Sequence, residues 1–292
     1  MAVDVVNESK AVVAKALSSI GDIATLPEVT VKIIETVEDP RSTARDLHEI
    51  IKRDPALSAK VLKVVNSAFY GLPGQIAGID RAIVLLGLSA VKNLAIAASI
   101  ARLFKGGKIS KHFNAKELWR HSVAVGLASR CIAKARGETA NLDELFVAGL
   151  IHDLGILIER QAFPEKLGEV CDRCAAGEGT FLELEAKIVG ADHQQFGEAL
   201  TAKWRFPRHL RAVIGFHHHP YDLSPELQRL GNLIHLADVL CSQEGLGFSQ
   251  TSGGQDITEE LLEAVDITVE ELTGIRDQLI EELDDAIGML SG

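Results

Sequence analysis

The run Ala148-Gly149-Leu150-Ile151-His152-Asp153-Leu154-Gly155 places two adjacent ionisable residues inside an apolar stretch and closes it with a glycine. Burying an imidazole and a carboxylate there costs free energy unless each finds a partner. A metal ion would pair with both. Four other places can supply the rest of a metal shell: His121, His193, the run His217-His218-His219, and Asp238. Asp238 stands in Leu236-Ala237-Asp238-Val239, where an unpaired carboxylate would shift its pKa and neutralise. His121 lies on an expected helix, and His193 follows Gly190-Ala191-Asp192 at an expected helix start. Consecutive helical side chains point about 100° apart, so one ion does not easily take His217, His218 and His219 together. Two of them can serve adjacent ions, and His219, beside Pro220, is the solvent-facing one. His48, His112, His209 and His235 have no comparable setting and are read as structural or surface residues.

Taken singly, His121 reads as a hydrogen-bonded core or surface residue, and His152 and Asp153 as caps or hydrogen-bond partners of neighbouring helix ends. In combination, two or three imidazoles and two carboxylates suit Fe²⁺, Mn²⁺, Zn²⁺ or Mg²⁺, in a mononuclear or dinuclear site, with the carboxylates favouring the harder ions. Such a site would activate water for attack on phosphorus.

Outward from this run, apolar residues recur at helical spacing. Glu8 to Ile20 reads as a helix ended by Gly21. Leu26-Pro27 opens a second, which Asp39-Pro40 stops. Ser42 or Thr43 can cap a third. Asp54-Pro55 starts a fourth, because proline tolerates the first helical turn. Ile79–Leu86 and Val91–Leu103 follow, separated near Gly87. After the glycine-bearing break Lys105–Lys108 come 115–136, 142–160, 181–189, 193–204, 209–216 and 227–240. Short helices, short loops and no strand-like alternation predict an all-α bundle. The expected parts are an N-terminal helical subdomain (1–105), a second helical subdomain carrying the His/Asp set (112–245), and acidic C-terminal helices (256–292). Gly245–Gly254, rich in Gly, Ser and Gln, reads as a linker. In the arm, Thr268 and Glu271 form a capping box, and Leu272, Ile275, Leu279, Leu283 and Leu290 form a stripe that packs on the body.

The net charge is −11 with pI near 5.4. Asp256 to Asp285 holds 12 acidic residues and one arginine, leaving 29 residues of each sign for the rest. No basic face for nucleic acid is evident; one would need Arg120, Arg130, Lys134 and Arg136 in a single patch. No polybasic patch, signal peptide or apolar run long enough for a membrane helix is evident either, so a cytoplasmic protein is expected. The four cysteines should be reduced thiols, and the lone Cys171-Asp-Arg-Cys174 motif lacks the second pair a zinc ribbon needs.

The order His121 … His152-Asp153 … Asp238 resembles the HD superfamily of metal-dependent phosphohydrolases, and His193 with His217-His218 resembles its two-metal HD-GYP branch. Upstream, Asp54-Pro-Ala-Leu-Ser-Ala-Lys-Val-Leu-Lys-Val-Val-Asn-Ser-Ala68 resembles the signature of the HDOD family, the HD-related output domain. So do Leu26-Pro27-Glu28-Val29, Ala82 to Gly87, and Gly190 to His193 with Trp204 and Pro207. The resemblance covers about Leu26 to Leu240. It implies a bacterial signal-transduction output module, all-α and of a kind without demonstrated catalysis, whose partners are other signalling proteins. The retained ligand set keeps a metal-dependent phosphohydrolase of nucleotides or phosphodiesters as the alternative. There His121, His152, Asp153 and Asp238 would hold one ion. His193 with His217 or His218 would hold a second, and Asp153, the catalytic candidate, would bridge them. Two departures weigh against turnover: His219-Pro220-Tyr221-Asp222 stands where a Gly-Tyr-Pro triplet is expected, and Ile156 replaces a phosphate-neutralising lysine.

Overall fold

The computed structural model describes residues 2–21, 28–39, 41–67, 70–139 and 141–291. The start signal Leu26-Pro27, the stop residue Pro40 and Ala68 of the family motif lie outside them.

The N-terminal helices are α1 (Ala2–Ser19), α2 (Glu28–Glu38), α3 (Ala44–Lys52), α4 (Pro55–Val65), α5 (Ile79–Leu86) and α6 (Leu88–Ile100). Thr43, rather than Ser42, caps α3 and forms a capping box with Asp46. Asp54 caps α4, its carboxylate accepting from the Leu57 amide at 2.9 Å. The α5–α6 junction is Gly87, at φ +90, where a side chain would be strained. Helix α6 is buried from Ala90 to Ile100, including Lys92 and Asn93. A helix apolar on every side belongs inside a protein of this size, and no helix among the described residues is long and apolar enough to cross a membrane.

A 3-10 turn (Ala101–Phe104) leads into a two-stranded antiparallel hairpin, β1 (Lys108–Ser110) and β2 (Phe113–Asn114). Strands this short carry no readable alternation, and the sequence shows only a break there. Then come α7 (Ala115–Ala135), α8 (Leu142–Ile151), α9 (Leu154–Ala162), α10 (Pro164–Ala175), α11 (Phe181–Ile188), α12 (His193–Lys203), α13 (Arg208–Phe216) and α14 (Pro225–Gln243). Helix α10 is absent from the sequence reading. It carries the Cys171/Cys174 motif as free thiols, and burial pushes Cys171 well above its usual pKa. The single helix expected over 142–160 is two, broken at His152-Asp153.

The arm is α15 (Glu259–Val265) and α16 (Val269–Ser291), and α16 lies on α7 and α4. Its capping box forms, with Thr268 Oγ1 accepting from the Glu271 amide at 3.2 Å. All five residues of its stripe are buried, and one continuous apolar cluster runs from Val13 to Leu290. Leu283 is fully buried, so Leu283→Ala should cost roughly 3 kcal/mol, read as a lowered urea midpoint. An unchanged midpoint would mean that the arm is only loosely attached. Of the four cations that a nucleic-acid face would need, three meet carboxylates: Arg120 with Asp284, Arg130 with Asp143, Arg136 with Asp266.

Candidate metal centre

All seven residues singled out from the sequence meet in the core, in two adjoining groups. One is His121, His152 and Asp238; the other is Asp153, His193, His217 and His218. Helix α7 supplies His121 and α14 supplies Asp238. The α8–α9 break supplies His152 and Asp153, and α12 supplies His193. Their side chains are fully buried.

The break explains how adjacent residues serve different groups. His152 stays helical at the end of α8, whereas Asp153 leaves helical geometry at φ −95, ψ 16. His152 Nε2 lies 3.8 Å from Asp238 Oδ1 and 3.3 Å from Asp153 Oδ2. The other Asp153 oxygen, Oδ1, lies 3.3 Å from His193 Nε2 and 3.5 Å from His217 Nε2. Asp153 therefore faces both groups. His217 and His218 enter the same group, not adjacent ones, because α13 ends at Phe216 and the pair sits on a turn. Their Nε2 atoms lie 3.3 and 3.0 Å from His193 Nε2. His219 is exposed.

The outer hydrogen bonds set the tautomers. His152 Nδ1 donates to the Gly149 carbonyl at 2.6 Å, and His217 Nδ1 to the Ile214 carbonyl at 2.8 Å. His218 Nδ1 donates to Gln255 Oε1 at 3.2 Å. A carbonyl only accepts, so all three Nδ1 atoms carry the proton and all three Nε2 atoms turn lone pairs inward. Asp153 Oδ1 also faces inward, and among the described residues neither it nor His152 Nε2 has a hydrogen-bond partner. His193 Nδ1 meets both oxygens of Glu185, at 2.8 and 3.0 Å. Even a proton on His193 Nε2 could not answer four inward lone-pair donors. A cation can. Donor atoms about 2.1 Å from one ion sit roughly 3.0–3.4 Å apart, close to the observed spacings. The buried His/Asp groups can hold a metal ion.

Electrostatics agree. Burial opposes charge on Asp153, yet the neighbouring His152 outweighs it and holds the carboxyl well below its usual range. Asp238 is likewise lowered, by His121 against burial. Burial, then neighbouring imidazoles, depress His218; burial above all depresses His217. Burial also opposes a charged His152, but Asp153 and Asp238 push it up to about 9. The two carboxylates thus call for positive charge beside them: the His152 proton supplies it until a metal displaces that proton, and His217 and His218, kept neutral by burial, stand ready to ligate.

Several contributors escape a reading of the sequence. Glu185 orients His193, but nothing in Phe181-Leu-Glu-Leu-Glu185 separates it from Glu183, which merely caps α11. Glu159 lies buried near Glu185, and burial, then Glu185, pushes its carboxyl well above the usual range. The stretch 245–254 is no free linker: it straps the centre. Ser252 Oγ donates to Asp238 Oδ2, and Thr251 Oγ1 to Asp153 Oδ2 at 3.4 Å, both hydroxyl residues being buried. The Phe248 amide donates to the Glu117 carbonyl at 3.0 Å and ties the strap to α7. Of the remaining histidines, His209 Nε2 donates to Glu144 Oε1 at 2.7 Å, His112 is exposed, and His48 and His235 are half-buried.

Comparison with known proteins bears on this geometry. The family model of the HDOD domain matches residues 23–220. An uncharacterized protein of Treponema pallidum (strain Nichols) is 27% identical over 237 residues, which are 81% of this chain and 45% of that protein. The chain therefore spans about half the length of this curated relative. Solved structures share the fold, among them these two. One, from Marinobacter aquaeolei VT8, has a name that proposes a signal transduction protein; it is 21% identical, covers 98% of this chain and 66% of its own, and has a TM-score of 0.76. The other, from Shewanella amazonensis SB2B, has a name that proposes a phosphohydrolase; it is 22% identical, covers 96% and 97%, and has a TM-score of 0.72.

Proposed function

This chain belongs to the HDOD family, and from that premise we propose that it is a cytoplasmic signalling output module that does not turn over a substrate. It holds a divalent ion, or a pair of ions, as part of its core. His121, His152 and Asp238 form one ligand group; His193, His217 and His218 form the other; Asp153 serves both. The partners are other signalling proteins, and the helical subdomains 1–105 and 112–245 carry the acidic helices 256–292 as a third element.

The observation that carries this reading is closure of the centre. All seven ligand side chains are fully buried, and the Thr251 and Ser252 hydroxyls of the strap lie on Asp153 and Asp238 oxygens. Ile156, in the place of a phosphate-neutralising lysine, is fully buried in the apolar core. The test is a phosphatase and phosphodiesterase assay with Mn²⁺ or Fe²⁺ added. Wild type and Asp153→Ala should give the same background rate. A rate that the substitution abolishes would replace this reading with the second one.

That second reading, a metal-dependent phosphohydrolase, is favoured by the convergence of the complete ligand set and by the name of the Shewanella structure. A bound divalent ion would supply Lewis acidity toward a phosphate. The chain's own residues would act around it: Glu185 would orient His193, Gly149 and Ile214 carbonyls would fix His152 and His217, and the strap would have to lift to admit substrate and the attacking water.

The strap gives a separate expectation. Loss of a hydrogen bond to a charged group costs about 1.5–3 kcal/mol, so Ser252→Ala should speed release of bound metal to a chelator by roughly tenfold or more. Stopped-flow with a chromogenic chelator checks it. Identical release rates would show that the strap does not gate the centre.

A further inference from the structure

A cavity of about 440 Å³, lined by none of the metal-centre residues, lies where α4, the 3-10 turn after α6, the start of α7 and the end of α16 meet. Lys60, Arg102, Lys105 and Lys116 line it, and no acidic residue among those described does. Phe104, Trp119 and Ile287 give it an apolar wall. In a chain of net charge −11, four cations in one recess are an anomaly. Neighbouring cations are engaged elsewhere: Arg120 pairs with Asp284, and Lys63 donates to the Gly288 carbonyl at 2.8 Å. Among the described residues, none of the four is paired with a carboxylate. Burial, then Lys105, Arg102 and Lys63, pull the Lys60 ammonium below its usual pKa, so the cations repel one another. Arg160 donates to the Lys105 carbonyl at 2.9 Å and packs against Gly106, which holds the loop that carries two of them.

A recess lined by one sign of charge focuses its field on a ligand of the other sign. Arginine's fork and lysine's point charge both suit phosphate oxygens. A single phosphate would engage only part of this lining. The volume falls in the range of small-molecule sites, roughly 300–1,000 Å³. We propose that this cavity binds a nucleoside polyphosphate, with Lys60, Arg102, Lys105 and Lys116 on the phosphates and the apolar wall against the base. Lys116 and Trp119 belong to α7, the helix that carries His121, while Ile287 belongs to the acidic arm. A bound nucleotide would therefore touch the N-terminal helices, the metal-bearing helix and the arm together. The proposal stands whether or not the His/Asp centre holds metal.

Isothermal titration calorimetry of the full chain with ATP, GTP, AMP and adenosine, in metal-free buffer at low salt, checks it. ATP or GTP should bind, AMP at least about tenfold more weakly, and adenosine without detectable heat. Arg102 and Lys105 are exposed, so Arg102→Ala and Lys105→Ala should leave the circular dichroism spectrum unchanged. Each should weaken triphosphate binding about tenfold, and Lys187→Ala, outside the cavity, should not. Failure of both triphosphates to bind would overturn the proposal, as would equal affinity in wild type and both cavity variants. Inorganic tripolyphosphate or a single-stranded oligonucleotide binding more tightly than ATP would overturn it too, by removing the need for the apolar wall.

Discussion

Replacing Gly155 with alanine should cost about 4 kcal/mol or more of stability, although the change adds one methyl group. A Cβ on Gly155 would stand 1.8 Å from the His193 carbonyl oxygen, 2.6 Å from its carbon and 2.9 Å from the Gly197 nitrogen. All three are backbone atoms, which cannot swing aside as the end of a flexible side chain does. Helix α12 must retreat from α9, and it cannot do so freely, because Gly197 on it already faces Ile214 of α13. Any retreat carries His193 away from Asp153. Urea unfolding followed by circular dichroism reads the loss, and a midpoint within error of wild type would show that the helices part easily. Gly274 is the contrasting case. It sits on an exposed face of α16 with open space around it, so Gly274→Ala should stabilise by about 0.5–1 kcal/mol through helix propensity.

Gly155 also shows what could be read from the sequence. Its place behind His152-Asp153 marked the end of an apolar run, but not that a second helix backbone rests on it. Packing of that kind joins positions 155 and 193, and no local pattern spans them. The all-α class was legible because helix periodicity and capping signals are local: Thr43, Asp54 and Thr268 all cap as their neighbours predict. The seven His and Asp residues stood out because charge inside apolar helices is costly and so conspicuous. Glu185 did not, since its helix also carries Glu183 in an ordinary capping role. The strap was misread for a physical reason: Gly, Ser and Thr favour loops whether the loop is free or pressed onto a site, and only tertiary contact tells Ser252 from a linker serine. The cationic cavity was invisible on the same grounds. Its four cations come from separate segments, each unremarkable alone, within a chain whose overall charge points the other way.

Substitution of Asp153 should empty the metal centre more completely than substitution of any other ligand. Its Oδ2 lies against His152 of one group and its Oδ1 against His193 and His217 of the other. Asp153→Ala should therefore remove metal from both groups, whereas His121→Ala should remove it from one, leaving Asp153, His193, His217 and His218 intact. Elemental analysis of the purified proteins gives the comparison. Stability should follow occupancy, since an ion that binds only the folded state stabilises it by about 4 kcal/mol when its free concentration is a thousand times its dissociation constant. For a chain of this size that corresponds to a fall of roughly 10 °C in melting temperature on chelation. Asp153→Asn separates this from simple loss of packing, because it keeps the shape and gives up the charge. It should melt near the chelated wild type and show little further response to chelator. Metal content in Asp153→Ala equal to that of wild type would sink the two-group assignment, and a chelator that leaves the wild-type melting temperature unmoved would sink the idea that the ion is part of the core.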